Sequence, residues 1–232
     1  VKDHPELIDM IYGGKVLADW THTISVNYNP TYDQFLLSVS SFDEIWIIDH
    51  STTTQEAAGH TGGRYGKGGD LLYRWGNPLT YRMGSENDKM LFNQHDAEWI
   101  NPGFPGGGNI LLFNNGVDRP GEDYSSIEEI IPPITSNGSY TRTTDSPYGP
   151  TESNWNYTAE NPPDFFAINL GSAQRLPNGN TLICQGPQGL FFEVTAEKEV
   201  VWQYTNLAPD PIDHQVFEIC RYPLDYPGLR FL

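Results

Sequence analysis

Short stretches of alternating apolar and polar residues run along most of the chain, separated by Gly, Pro and Asn. This alternation predicts β-strands, because successive side chains of a strand point to opposite faces. One kind of strand recurs: two aromatic residues stand two positions apart, and an Asn and a Pro follow them and stop the strand. Its three copies are Leu72–Pro78, Asn154–Pro162 and Val201–Pro209.

The spacing of these copies predicts a repeat architecture. From Tyr73 to Trp155 the chain advances 82 residues, and from Trp155 to Trp202 it advances 47. A repeat of about 45 residues with several strands per unit is typical of a β-propeller blade. We interpret the longer interval as one blade plus a long insertion over residues 118–153, which is rich in Pro, Gly, Ser and Thr and predicts an irregular excursion.

Each unit contains three further strands before the aromatic one. In the last unit an inner strand, the turn Pro177–Asn180 and a second strand follow one another, and Asn-Gly between apolar runs is a strong hairpin signal. The sequence therefore predicts an all-β fold, a β-propeller of four-stranded antiparallel blades with the aromatic strand outermost. The predicted blades span approximately 20–82, 93–160 and 165–208, with a tail strand at 213–222.

Three blades do not close a propeller, which needs about 4 to 8. Residues 1–19 have the pattern of connecting chain, and a lone tail strand commonly completes a blade that begins at the other end of a chain. We therefore treat residues 1–232 as one partial propeller domain. The predicted partners include the missing blades, supplied either by the same precursor or by another chain.

The chain is strongly acidic, with 13 basic against 30 acidic residues and a formal net charge of −17. Such a charge argues against binding to the nucleic-acid backbone. It is compatible with a secreted, marine or halophilic protein that its charge keeps soluble, and a solvated acidic surface is the simplest interpretation. No stretch approaches the roughly 18 apolar residues of a membrane span, so we expect neither a nucleic-acid partner nor a membrane span.

The two cysteines, Cys184 and Cys220, allow a single pairing. One interpretation is two buried free thiols, which behave as small hydrophobic residues. The other is a disulfide that ties the tail strand to the last blade in an oxidising compartment.

Two histidines stand at the same position of two units. His22 and His95 each begin the innermost strand of a blade, and innermost strands line the central channel with their starts at one mouth. Arg119 follows the second strand of the His95 blade, in a segment that also holds Asn115. Two imidazoles and a guanidinium suit an oxyanion such as sulfate or phosphate. The alternative is that each histidine is a structural residue that bonds neighbouring loops.

Seven segments carry a family resemblance: Asp19–His22, Ser25–Pro30, Ile47–Thr53, Gln94–Asp96, Leu112–Gly116, Gln174–Ile183 and Arg221–Leu229. They resemble bacterial arylsulfotransferases of the aryl-sulfate-dependent type. The Asp-Trp-x-His and Gln-His-Asp segments are fairly specific, and the resemblance covers nearly all of the chain.

This resemblance implies a six-bladed propeller, periplasmic or secreted, that moves a sulfuryl group from a phenolic sulfate to another phenol. It implies a channel histidine that is transiently sulfated, while other histidines and an arginine hold the oxyanion. His22, His95 and Arg119 match the family's channel residues. We take His22 and His95 as candidate catalytic residues and count Asn115 with all three as anion-binding. The expected partner is a small phenolic or sulfated substrate.

One departure from the family leaves two functions open. The family's nucleophilic histidine belongs to a later blade, but no histidine stands between His95 and His214, and the corresponding inner strand offers Ser172 and Gln174. Either His22 or His95 takes the nucleophile's role, or sulfuryl transfer is lost and a non-catalytic secreted binding or structural propeller remains. A quinoprotein propeller would need other signals: the chain has no adjacent cysteine pair, and no acidic cluster is expected in an inner strand. We therefore predict no cofactor and no metal.

Overall fold

The computed structural model describes residues 1–12, 18–207, 214–224 and 226–230. These residues form three four-stranded antiparallel sheets. The first sheet holds β1 (Thr23–Asn29), β2 (Gln34–Val39), β3 (Glu44–Asp49) and β4 (Tyr73–Trp75); the second holds β5 (His95–Trp99), β6 (Ile110–Asn114), β7 (Ser126–Ile130) and β8 (Trp155–Tyr157); the third holds β9 (Ser172–Arg175), β10 (Thr181–Gln185), β11 (Leu190–Val194) and β12 (Val200–Thr205). Strand order follows chain order in each sheet, which confirms the predicted all-β fold of four-stranded blades.

The helices are short and lie in the connections between strands. The α-helix α1 (Thr54–Ala57) begins after Thr53, whose hydroxyl accepts a hydrogen bond from the N–H of Glu56. The 3₁₀ helices of the described residues are Ser40–Phe42, Pro78–Tyr81, Glu86–Asp88, Pro162–Asp164, Gly186–Gln188 and Pro227–Leu229. Across the described ranges, none of the helices has the length and apolar character needed to cross a membrane.

The blades stack because the middle blade is apolar on both faces. Leu112 of β6 belongs to a core cluster that includes Ile45 and Ile47 of the first blade. Its neighbour Leu111 belongs to a second cluster, which includes Ile183 of the third blade. Since adjacent side chains of a strand point to opposite faces, one strand contributes to both inter-blade cores.

The predicted aromatic strands are the fourth strands β4, β8 and β12, and they differ in burial. Tyr73 of β4 is fully buried, whereas 42% of Trp202 on β12 is exposed. The cover over β4 comes from residues 131–154, which connect β7 to β8. Tyr73 Oη donates to the carbonyl of Gly149 at 2.8 Å, and Trp75 Nε1 donates to that of Pro150 at 2.7 Å.

The predicted tail strand is not a strand over its described part, residues 214–222; residue 213 lies outside the described residues. The segment runs beside β9, but its N–H groups reach side chains of that strand. Ile219 donates to Ser172 Oγ at 3.2 Å, and Arg221 donates to Gln174 Oε1 at 2.8 Å. A strand requires a backbone ladder, and side-chain acceptors do not continue one.

The two cysteines are free thiols, but only one of them is buried, so the prediction of two buried thiols is wrong for Cys220. Cys184 is buried in β10 and Cys220 is exposed in the 214–222 segment, and neither forms a disulfide.

Candidate functional site

His22 stands immediately before β1, the innermost strand of the first blade. Its backbone is left-handed (φ 44°), and its carbonyl accepts a hydrogen bond from the N–H of Ser40 at 3.2 Å. The ring Nδ1 contacts the carboxylate of Asp19, three residues earlier. About half of the His22 side chain is exposed. Asp19 thus fixes the orientation of the ring, and among the described residues no hydrogen bond to Nε2 is found.

His95 is the first residue of β5 and is 5% exposed. The N–H of Leu170 donates to its Nε2 at 3.2 Å, and its Nδ1 lies 2.7 Å from Oδ1 of Asn115. Because a backbone N–H only donates, Nε2 carries no proton and Nδ1 carries it. Burial lowers the pKa of His95, and the nearby charge of His22 lowers it further, against the hydrogen bond to Asn115. The buried imidazole is therefore held neutral.

Asn115 is fully buried at the end of β6 and fixes this tautomer. Its amide nitrogen donates to the carbonyls of Ala167 and Leu170 at 2.9 and 2.8 Å. These two bonds orient the amide so that its oxygen faces Nδ1 of His95. Asn115 is one of the predicted anion-binding residues, but its amide oxygen and its amide nitrogen both already form hydrogen bonds to protein groups. The network connects the second blade to the loop that precedes β9.

The inner strands of the first two blades lie against each other near this mouth. The N–H of Ala97 donates to Ser25 Oγ at 3.0 Å, and the N–H of Trp99 donates to Asn27 Oδ1 at 3.2 Å. This contact between β1 and β5 brings His22 close enough for its charge to oppose protonation of His95.

Arg119 occupies a different place. Its guanidinium lies 3.8 Å from the ring centre of Tyr124 and 5.4 Å from that of Phe92, and its Nη2 donates to Ser126 Oγ at 3.3 Å. It lines a cavity of about 520 Å³ with Lys89, Glu128, Trp155 and Lys198. Within the described residues, no hydrogen bond joins Arg119 to His22 or His95, so cation–π contacts account for its position better than the channel does.

A second cavity, of about 360 Å³, lies between β1, β5, β9 and the 214–222 segment, and Asp96, Glu98 and Glu218 line it. Burial raises the pKa of Asp96 to about 7 and of Glu98 to about 8. The sequence interpretation missed this acidic pair, although two acids two residues apart on an inner strand give a signal for it. Among the described residues, no three His, Cys, Asp or Glu side chains are arranged to hold a metal ion.

The family model described as "Arylsulfotransferase (ASST)" matches residues 3–211. The chain belongs to the arylsulfotransferase family. No curated protein sequence matches it.

Three solved structures show a similar chain trace at low identity. A protein of unknown function from Bacteroides caccae has 13% identity and a TM-score of 0.41, over 79% of this chain and 45% of its own. A streptogramin B lyase has 10% identity and a TM-score of 0.40, over 82% of this chain and 42% of its own. A virginiamycin B lyase from Staphylococcus aureus has 9% identity and a TM-score of 0.40, over 84% of this chain and 44% of its own. This chain thus spans less than half the length of each.

The candidate site has one wall that the sequence interpretation did not include. Phe217 of the 214–222 segment lies edge-on to His95, with ring centres 6.3 Å apart, and about half of Phe217 is exposed. The signal was weak, because an isolated Phe in a predicted tail strand carries no motif. Together the mouth offers an oriented imidazole, a buried neutral imidazole and an aromatic side chain.

Proposed function

We propose that this chain carries out sulfuryl transfer from a phenolic sulfate to a phenol, with His22 as the residue that accepts the sulfuryl group. The observation that carries the proposal is the pairing of His22 with Asp19 beside His95. A nucleophilic imidazole needs one ring nitrogen fixed by an acceptor and the other free to react. His22 meets both requirements among the described contacts, whereas both nitrogens of His95 are occupied.

In the first step, Nε2 of His22 attacks the sulfur of the phenolic sulfate. An N–S bond forms, the S–O bond to the aryl group breaks, and the phenolate leaves with the electron pair and takes a proton from water. In the second step the oxygen of the acceptor phenol attacks the same sulfur and gives its proton to the hydroxide that remains from the first step. The N–S bond then breaks and returns the electron pair to Nε2. Asp19 stabilises the positive charge that the imidazole carries between the steps.

His95 acts in this proposal as a positioning residue. Its neutral ring carries no charge that would repel the cationic sulfo-imidazole of His22, and its bonds to Asn115 and Leu170 fix the wall of the mouth. Arg119 lies in the neighbouring cavity, so we assign it an electrostatic contribution rather than a contact with the sulfuryl group.

The test is to trap the intermediate. The protein is mixed with a phenolic sulfate in the absence of an acceptor, quenched at alkaline pH, digested and mapped by peptide mass spectrometry. We expect a sulfo group on His22 that disappears when a phenol is added. His60 is the matched control, because it is also exposed and also paired through Nδ1 with an aspartate, Asp70. A sulfo group on His95, or on His22 and His60 alike, would contradict the assignment.

A second candidate function is a binding propeller without catalysis. Two observations favour it: both ring nitrogens of His95 bond to protein groups, and no third histidine lies between His95 and His214 in the sequence. Calorimetry separates the two functions, since a binding propeller would bind a phenolic sulfate stoichiometrically and release it unchanged.

We also propose that the protein is exported to the periplasm or the exterior, and that further blades complete its ring. The acidic composition and the family resemblance support export. The exposed aromatic residues of β12, Trp202 and Tyr204, support a further blade on that face, from the same precursor or from another chain. Fractionation of the source cells tests export, and the intact mass of the native protein tests the source of the blades.

A further inference from the structure

The 214–222 segment closes one side of the acidic cavity by lying along the free edge of β9. The N–H of Val216 donates to the carbonyl of Gly186 at 3.0 Å, and the N–H of Gly171 donates to that of Phe217 at 3.2 Å. A Cβ at Gly186 would collide with the carbonyl of Val216, so glycine is required for this approach.

Besides the ring contacts of Phe217 with His95 and of Arg221 with Trp202, the segment makes further polar contacts. Ile219 and Arg221 donate to the side chains of Ser172 and Gln174, and the Arg221 guanidinium pairs with Glu193 of β11. Phe217 stays about half exposed. A segment that is bound by partly exposed hydrogen bonds, with little buried apolar area, separates from its support at a low free-energy cost.

Three carboxyl groups meet across the cavity under this segment. Asp96 and Glu98 project from β5, and Glu218 belongs to the segment itself. Asp96 accepts a hydrogen bond from the N–H of Ala173 at 3.0 Å. No Lys, Arg or His is found among the described residues that line the cavity. Ionisation of this cluster therefore places like charges in a confined space without a counter-charge.

We propose that the 214–222 segment is a proton-dependent cover over the histidine mouth. It stays against β9 while Asp96 and Glu98 hold protons, and it separates when these two carboxyl groups ionise beside Glu218. Because Phe217 lies against His95, separation uncovers the mouth.

The pKa shifts of Asp96 and Glu98 determine whether the segment binds more tightly at low or at high pH. Burial raises the pKa of Asp96 to about 7 and of Glu98 to about 8, and the charge of Glu218 adds to both. Release of the segment returns the groups to water and towards ordinary carboxyl values. A raised pKa in the bound state favours binding at low pH, and this contribution is lost as the pH rises through about 7 and about 8.

The two cysteines and Glu193 do not reverse the direction of this pH dependence. Burial raises the pKa of Cys184 to about 12 and also raises that of Cys220, so both thiols stay neutral in this window. Although burial acts the other way, hydrogen bonds lower the pKa of Glu193, which keeps its pair with Arg221 ionised. The titratable and charged groups that face the segment are Asp96, Glu98, Cys184 and Glu193, those of the segment are His214, Glu218, Cys220, Arg221 and Tyr222, and His95, which contacts Phe217, is held neutral.

Hydrogen exchange of the intact protein, corrected for intrinsic exchange rates, tests the cover. Between about pH 6 and about pH 9 we expect protection in residues 214–222 to fall at least about tenfold, because one unit of pKa corresponds to a tenfold change in the release equilibrium. Strand β6 (Ile110–Asn114) is the internal reference, because it is fully buried and its protection should not follow the segment. Protection of 214–222 that is independent of pH would overturn the proposal.

Two variants give a second measurement. Glu218→Gln removes one carboxyl without changing the size of the side chain, and it should retain protection at high pH. Glu197→Gln removes an exposed carboxyl from the turn between β11 and β12 and should behave as the parent protein does. Equal loss of protection in all three proteins would contradict a role for the cluster. The exchange experiment does not depend on sulfuryl transfer, so the cover and the proposed function fail separately.

Discussion

His22 and His95 both lie at the start of the innermost strand of a blade, in two neighbouring blades, yet their surroundings are opposite. His22 is half exposed and is oriented through one nitrogen by Asp19. His95 is buried, and Asn115 and Leu170 occupy both of its nitrogens. A repeat places a residue type at a mouth, but the loop packed against that position decides whether the ring is available to a substrate.

The largest effect should separate the two histidines in the transfer reaction. His22→Ala removes the nucleophile, and we expect kcat for a phenolic sulfate donor to fall by at least about 10³. The melting temperature should be unchanged, because the side chain is half exposed. Steady-state rates with His60→Ala as the control measure this. Wild-type turnover in the His22→Ala protein would place the reaction elsewhere.

The next largest effect is the loss of stability that we expect from replacing His95. His95→Ala leaves the amide oxygen of Asn115 and the N–H of Leu170 buried without partners. We expect a loss of about 2–4 kcal/mol in the free energy of unfolding. Urea unfolding compares it with His22→Ala, for which we expect less than about 0.5 kcal/mol. Similar losses in the two proteins would remove the distinction between an available and a structural imidazole.

Much of the fold could be predicted from the sequence. Period-two alternation is a local property, and a strand such as β6 shows it in adjacent residues that serve two different cores, Leu111 and Leu112. The aromatic fourth strands were predictable for the same reason. The 214–222 segment was not, because its N–H groups bond to Ser172 and Gln174 side chains, which strand propensity does not register.

Less of the candidate site could be predicted. The positions of His22 and His95 followed from the repeat. The burial of His95 depends on a loop of the next blade that comes 75 residues later in the chain and supplies Leu170. The sequence also suggested that Arg119 turns towards the mouth, but the aromatic rings of Phe92 and Tyr124 hold its guanidinium. Such choices among nearby partners are tertiary and leave no spacing pattern.

A smaller effect tests the role of Asp19. Asp19→Asn keeps the shape of the side chain but removes the charge that orients and stabilises the His22 ring. We expect kcat to fall about two- to fivefold, which is the upper part of the range for the coupling in an exposed ion pair. High salt should lower kcat of the parent protein but not of the variant, so that the difference between them shrinks, because screening weakens exposed pairs. An unchanged rate would show that the ring needs no orientation.

The smallest effect is a difference in how stability depends on pH. Burial lowers the pKa of His95 from its ordinary value of 6.5. As the pH falls below that value, the unfolded chain binds a proton that the native protein does not. His95 therefore contributes stability above its ordinary pKa, and this contribution is lost progressively as the pH falls towards the lowered value.

His95→Gln, with Gln as a polar replacement that does not titrate, isolates this contribution from the carboxyl groups, whose raised pKa values act in the opposite direction. Unfolding free energies are measured from about pH 7.5 to about pH 5. The gap in unfolding free energy between parent and His95→Gln should narrow as the pH falls. A gap that stays constant would mean that His95 binds its proton equally well in the native protein and in the unfolded chain. In that case the contrast with His22 would rest on hydrogen bonding alone.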